Sequence, residues 1–298
     1  MVTCVVSSLA DTGVAIWVDD AADAELRKPP RVMTEFWDAV LLLPILLGSS
    51  ALGLFVQPLL SEHHRSLETT NLVQLVVIML VTFAAPVLGL LTTSVKASFD
   101  TVAKDLRAFA VELIELDQSL REYGSQADAV RGLLRSYTAA AIATTWTEEP
   151  KPPGDYYPKQ HPLPFFDVHL ERPAPEEMAR VELEIRHLQP QDAIHRKLVF
   201  DSLSQFEHLM EKRWKLIEES HSSIPMPLYF VLVFWLVIVF ASFGLSAPRN
   251  ALSYMTILLG ALSIASVIFA IRELDTPFHG IIVVSSQPMR DALVQLNR

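Results

Sequence analysis

The sequence predicts an all-α membrane protein, with four transmembrane helices in two hairpins and a helical cytoplasmic region between them. Three observations predict it. Hydrophobic residues make up 51% of the 298, charged residues only 19%, and the mean hydropathy is +0.31. The 24 basic and 34 acidic side chains avoid four stretches altogether, residues 39–60, 71–95, 222–248 and 250–271. Between the second and third stretches, apolar residues recur at helical spacing. The same arithmetic excludes an ordinary soluble enzyme and a disulfide scaffold, because Cys4 is the only cysteine. A net charge of −10 argues against a nucleic-acid partner, whose phosphates call for a basic face.

Each charge-free stretch is long enough for the bilayer, since a helix needs about 20 apolar residues to cross the hydrocarbon core. SEHHRSLETT separates the first two and SAPRN the last two, which makes two hairpins with tight turns. Lysine and arginine near the spans set the orientation. Arg27, Lys28, Arg31, Lys96, Lys104, Arg107, Lys212, Arg213, Lys215, Arg272 and Arg290 lie on the side of the termini, against Arg65 and Arg249 in the turns. Both termini and the middle region are therefore expected in the cytoplasm of a multi-pass inner-membrane protein. The expected organisation is an N-terminal tail at 1–36, hairpin one at 37–95, a cytoplasmic region at 96–224, hairpin two at 225–272 and a cytoplasmic segment at 273–298. The tail opens uncharged and carries Asp11, Asp19, Asp20, Asp23 and Glu25, unlike a secretory signal. It reads as a segment without fixed structure or as a mis-assigned start, with Met33 the alternative first residue.

In the middle region Val102, Leu106, Phe109, Leu113, Leu116 and Leu120 step by four and three, the pattern of one helical face. Gly124 ends that helix. Ser125, with Asp128 three residues on, reads as the N-cap of a second helix ending near Trp146, and the two are expected to pair antiparallel. Residues 147–175 hold eight prolines and read as a loop. Its aromatics Tyr156, Tyr157, Phe165 and Phe166 suggest a packed loop. A short helix at 176–188 and a long one from Gln191 to His221 follow, the latter with a stripe of Val199, Leu203, Phe206, Met210 and Ile217.

No catalytic or cofactor signature is present: no P-loop, GxGxxG or HExxH occurs, and the nine histidines never fall at metal spacing with a second soft ligand. His63 and His64 are adjacent and diverge on a helix, and His187 and His195 flank Pro190. The expectation is no enzyme, no metal and no cofactor. The spans contain no ionisable side chain, which weighs against proton-coupled transport. Their polar residues are small. Ser253, Thr256, Gly260 and Ser263 share a face of the fourth span, and Ser49 and Gly53 form a small-xxx-small pair in the first; both patterns fit close packing or a pore lining. Pro44, Pro58 and Pro86 fit bent helices. Leu75, Met79 and Phe83 share a face of the second span and would either meet lipid or ring a dry constriction among several subunits.

Three segments carry a resemblance to a known family. LLRSYTAAAIATTW at 133–146 is similar to a tyrosine-then-tryptophan segment, FEHLMEKRWKLIEESHSSIP at 206–225 to an arginine-bearing helix entering the third span through a proline, and ELDTPFHGIIVVSSQPMRDAL at 273–293 to a closing motif. Together they resemble the bestrophin-like family of bacterial membrane proteins, from about Met33 to the C-terminus. The strongest element is Asp275, Pro277, Phe278 and Gly280. The resemblance implies a homo-oligomer, a pentamer as in true bestrophins, with Leu75, Met79 and Phe83 in the place of an apolar neck. In animal bestrophins acidic residues after the Pro-Phe-Gly sequence clasp calcium. Here HGIIVVSSQ follows Phe278 without a carboxylate, so that property does not carry over. The resulting expectation is an oligomer that passes inorganic ions passively through the bilayer. The alternative is a membrane-anchored scaffold without transport activity, and a membrane enzyme comes third.

Overall fold

The computed structural model describes residues 31–59, 67–154, 176–220 and 224–298. Among them the chain forms eight α-helices and no strand: α1 Arg31–Val56, α2 Leu67–Tyr123, α3 Asp128–Thr145, α4 Glu176–His187, α5 Ala193–Glu219, α6 Met226–Ser246, α7 Ala251–Leu274 and α8 Gln287–Leu296. Residues 1–30 of the tail expected at 1–36, His63, His64, and the aromatics between 155 and 175 lie outside the described residues; residues 31–36 of that tail belong to α1.

Four helices are long and apolar enough to span a membrane: α1, the first part of α2, α6 and α7. Local chemistry sets their ends. Pro225 precedes α6 and Pro227 stands in its first turn, where a missing N–H costs nothing. Asn250 caps α7 by accepting from the Ser253 amide at 2.8 Å. Pro44 and Pro86 lie inside α1 and α2 without ending them.

The largest departure from expectation is α2. The second span and the first helix of the middle region are one helix of 57 residues, about 85 Å long at 1.5 Å per residue. Nothing between Thr92 and Thr101 can stop it: the segment has neither glycine nor proline, Thr92, Thr93 and Thr101 donate to carbonyls four residues back, and Lys96 pairs with Asp100 one turn on. The buried line runs in phase throughout, from Leu91 and Val95 to Val102, Leu106 and Phe109. The boundary expected at 95/96 falls inside this helix.

The spans are connected as two hairpins but do not pack as hairpins. Among the described residues α1 packs on α6 and α7, and α2 also packs on α6 and α7, while sequential spans scarcely touch. Around the bundle the order is α1, α6, α2, α7, with consecutive spans on the diagonals. The α1–α6 crossing is parallel, since Ser50 Oγ donates to Phe240 O at 2.9 Å and Gln57 Nε2 to Ala247 O at 3.3 Å. Glycine permits it. A Cβ on Gly53 would lie 2.2 Å from Ala241 O, and one on Gly244 would lie 1.9 Å from Ser50 O. The small pair at this crossing is thus Ser50 with Gly53; Ser49 instead bonds its own helix at Leu46 O.

Outside the bilayer α2 has α5 along its length, antiparallel, with Tyr123 beside His195 and Asp105 beside Lys215. The expected lengthwise pair of α2 and α3 is not formed in that way. The Val102-to-Leu120 line is covered mainly by α5 and α8, and α3 turns back to pack chiefly on α4 and α8. Gly124, at φ 101°, makes the turn. The following 3₁₀ turn Ser125–Ala127 has no side-chain cap, so the expected Ser125 N-cap is replaced by a helix that starts at Asp128. On α5 the buried line is Ser202, Phe206, Leu209, Arg213 and Leu216; of the expected stripe Phe206 lies on it, and Val199, Leu203 and Met210 pack half-buried beside it. The position between Leu209 and Leu216 is an arginine, which apolar counting rejects. Asp117, buried, accepts from Arg121 at 2.7 Å and Arg131 at 2.8 Å, and the same arginines donate to Gln295 O and Leu296 O, fastening the C-terminal helix.

Gly244→Val is expected to destabilise the chain by about 1–3 kcal/mol or more by overpacking the α1–α6 crossing. Gly48→Ala meets nothing within 4 Å and is expected to be neutral or stabilising by about 0.5–1 kcal/mol. Thermal unfolding in detergent, followed by tryptophan fluorescence, compares the two.

Candidate functional site

One face of α2 is left bare by the rest of the chain. Opposite the buried line, Leu75, Met79 and Leu90 are exposed, then Thr93 and Ala97, then Asp100, Lys104, Val111, Glu115, Gln118 and Glu122. These positions are separated by 3, 4, 7 or 11 residues and so stay in phase for nearly the whole helix, while between 71 and 90 the neighbouring positions are largely exposed as well. The face is apolar in the span, small or hydroxyl-bearing at its end, and charged beyond it. Leu75, Met79 and Phe83 are 65%, 59% and 52% exposed, so all three project away from the protomer. In the most apolar window of α2 only 11% of residues are buried, against 28%, 28% and 22% in the other spans. The face of α7 with Ser253, Thr256, Gly260 and Ser263 is also not the one packed inside the protomer. The buried line there is Ala261, Ala265, Ile268 and Ile271, and a Cβ on Gly260 would touch only Phe240 at 3.9 Å.

The three segments singled out in the sequence are linked through α3, which meets α5 at Tyr137 and the loop after α7 at Trp146. Arg213 Nε donates to Tyr137 Oη at 3.2 Å inside the core. Trp146, closing α3, donates its indole N–H to Val284 O at 2.7 Å and meets Phe278 edge-to-face at 5.8 Å. Asp275 ends α7, its amide bonded to Ile271 O and Arg272 O, and Pro277 O accepts from Val284 N at 2.7 Å. Glu273, which the sequence analysis did not single out, also shapes the loop. It accepts from the amides of Ile281 at 2.6 Å and Ile282 at 3.3 Å. Gly280 has φ 105°, and a Cβ there would lie 2.4 Å from Glu273 Oε2, so glycine is required twice over. Arg290 joins α8 to this corner through Glu149 at 2.8 Å and Pro150 O at 2.9 Å. No group of three or more His, Cys, Asp or Glu side chains able to hold a metal occurs among the described residues; His195 contacts Asp192 Oδ1 at 2.8 Å.

The family model of the bestrophin-like domain matches residues 45–289. The chain belongs to the bestrophin-like family. Its fold is shared with crystal structures of single-substitution variants of a bacterial bestrophin homolog from Klebsiella pneumoniae. One aligns at TM-score 0.54 and 13% identity, covering 88% of this chain and 100% of that one. A second aligns at 0.55 and 14%, covering 87% and 97%. Among curated proteins, none matches the chain in sequence.

In this bestrophin-like chain a second ionic cluster joins α2 to the last turn of α5, just before the third span. Asp105, ten residues beyond the charge-free stretch, lies 3.0 Å from Lys215 Nζ, which also approaches Glu219 at 3.5 Å. Burial and then the hydrogen bond and charge of Asp105 push the Glu219 carboxyl above its ordinary value. Burial acts to raise Asp105 as well, but hydrogen bonds from Glu219 and Lys215 and the charges of Lys215 and Lys212 outweigh it and hold Asp105 low.

The lowered Asp105 contributes stability that is present above its unfolded-state value and is lost as pH falls through its folded value. The raised Glu219 does the reverse: its contribution is present in acid and is lost as pH rises through its folded value. Melting midpoints between about pH 3 and pH 8 are therefore expected to pass through a maximum. Glu219→Gln removes the decline on the rising side and leaves the acid decline in place.

Proposed function

We propose that several copies of this chain, five by resemblance to bestrophin channels, surround a common axis with α2 innermost, and that the enclosed space passes inorganic ions passively across the bilayer. The observation that carries this reading is the bare face of α2, continuous and in phase from the apolar span to the charged end. A helix crossing lipid singly needs no such order beyond the bilayer, where an uncovered face meets water. A helix lining a path needs a dry apolar section at membrane depth and a wet charged one outside it. In this reading Leu75, Met79 and Phe83 form the neck, and Ser253, Thr256, Gly260 and Ser263 allow close packing of α7 on a neighbouring copy. The helical region and both termini lie in the cytoplasm, following the placement of lysine and arginine.

Reconstituted liposomes carrying separate chloride and potassium gradients test the reading. The wild-type protein is expected to dissipate at least one of them. Alanine at Leu75, Met79 and Phe83 together is expected to raise the flux, because the side chains that narrow and dehydrate the path are gone. Unchanged flux in that variant removes the neck assignment. A strictly monomeric detergent complex removes the shared pathway. Silence under every gradient favours the scaffold, for which Ile194, Phe200 and Trp214, all exposed on α5, would supply a partner surface.

A further inference from the structure

The charge-free part of α7 ends at Ile271, and the next two residues mark the membrane boundary on the side of the helical domain. Arg272 sets its guanidinium over the ring of Tyr229 in the first turn of α6, 5.7 Å from the centroid, an aromatic and a cation where hydrocarbon gives way to headgroups. Glu273, buried, holds the amides of Ile281 and Ile282. The loop after α7 therefore folds back onto the last turn of that helix, its amides on the carboxylate of a residue whose Cα lies about 3 Å, along the axis, beyond the end of the charge-free stretch. Gly280 makes that return possible by lying against the Glu273 carboxylate.

At this height the loop presents Ile281, Ile282 and Val283, which are 76%, 40% and 38% exposed. Water gains nothing from three consecutive branched apolar side chains, and several of the backbone groups beneath them are already bonded. The amides of Ile281 and Ile282 are bonded to Glu273, that of Val284 to Pro277 O, and Val284 O to the Trp146 indole. Amides so paired lower the cost of bringing this backbone to the headgroup layer. The exposed apolar side chains of α7 away from the face of Ser253 and Ser263, such as Met255, Leu259 and Leu262, form a lipid-facing surface that ends at this level.

We propose that Ile281, Ile282 and Val283 form an interfacial anchor, a wedge seated in the headgroup and acyl boundary of the leaflet next to the helical domain. Its partner is the lipid surface. The anchor holds the Phe278–Trp146 contact at the membrane, so that the end of the fourth span, α3 and α8 keep a fixed height relative to the bilayer. It does not depend on ion conduction.

The test uses the full chain in phosphatidylcholine vesicles, with Cys4→Ser and Ile281→Cys labelled by an environment-sensitive nitrobenzoxadiazole dye. A parallel protein carries the label at Gln118→Cys, on the bare face of α2 far from the membrane. With brominated lipids the label at position 281 is expected to emit at shorter wavelength and lose most of its intensity, while the label at 118 changes little. Adding Ile282→Asp is expected to abolish the quenching at 281 while the protein still elutes as the wild type does. A label at 281 that brominated lipid does not quench overturns the proposal, whether it reads as wet or as shielded. A shielded but unquenched label means that a second copy of the chain covers the loop. Should the aspartate variant misfold, labelling at Val283→Cys without it gives the same decision.

Discussion

The architecture depends on the continuity of α2, which runs as one helix from hydrocarbon to water even though Pro86 has no N–H to donate. Within lipid every amide must be paired inside the chain, so the segment must be helical there, and nothing at the membrane surface interrupts the helix once it is formed. Continuity carries a geometric consequence. A helix that keeps one phase from hydrocarbon to water keeps one buried face and one bare face, and whatever covers the first leaves the second for other molecules. The α6 and α7 spans cover it in the bilayer, and α5 and α8 cover it outside. The two apolar cores, one in the membrane around Leu46, Leu91 and Phe240 and one outside around Phe109, Leu113 and Leu134, are thus aligned on a single rod.

The diagonal order of the spans follows from how closely helices can approach without a hydrophobic effect to draw them together. In lipid, close contact is driven by packing and hydrogen bonding, and small residues decide where it occurs. Gly53 and Gly244 let α1 and α6 approach until backbone meets backbone, and Ser50 adds a bond across the crossing. Those contacts bring the first and third spans together and leave α2 on the far side of α6.

The end of α7 shows how a short loop is held by few groups. Glu273, Gly280, Pro277 and Trp146 satisfy its backbone, and Arg290 and Glu149 tie the next helix to it. Asp275, Pro277, Phe278 and Gly280 came from the family resemblance; that Glu273 beside them faces the returning amides is information no spacing rule carries. On α5 the same limit applies to Arg213: a charged residue joins a buried line when Tyr137 waits across the core, and Tyr137 lies 76 residues away in the chain.

By itself the sequence determined that four segments enter lipid, that the rest is helical, where most helices start and stop, and which family the chain resembles. Those properties are local, set by apolar length, by three-and-four spacing and by prolines, glycines and caps read within a few residues. Only the tertiary structure decided that the second span and the first outer helix are one rod, that consecutive spans sit on diagonals, that α5 and not α3 runs beside α2, and that Glu273 holds the closing loop. Those depend on which surfaces meet across large separations in sequence, where close approach and shared hydrogen bonds, rather than propensity, select the partner.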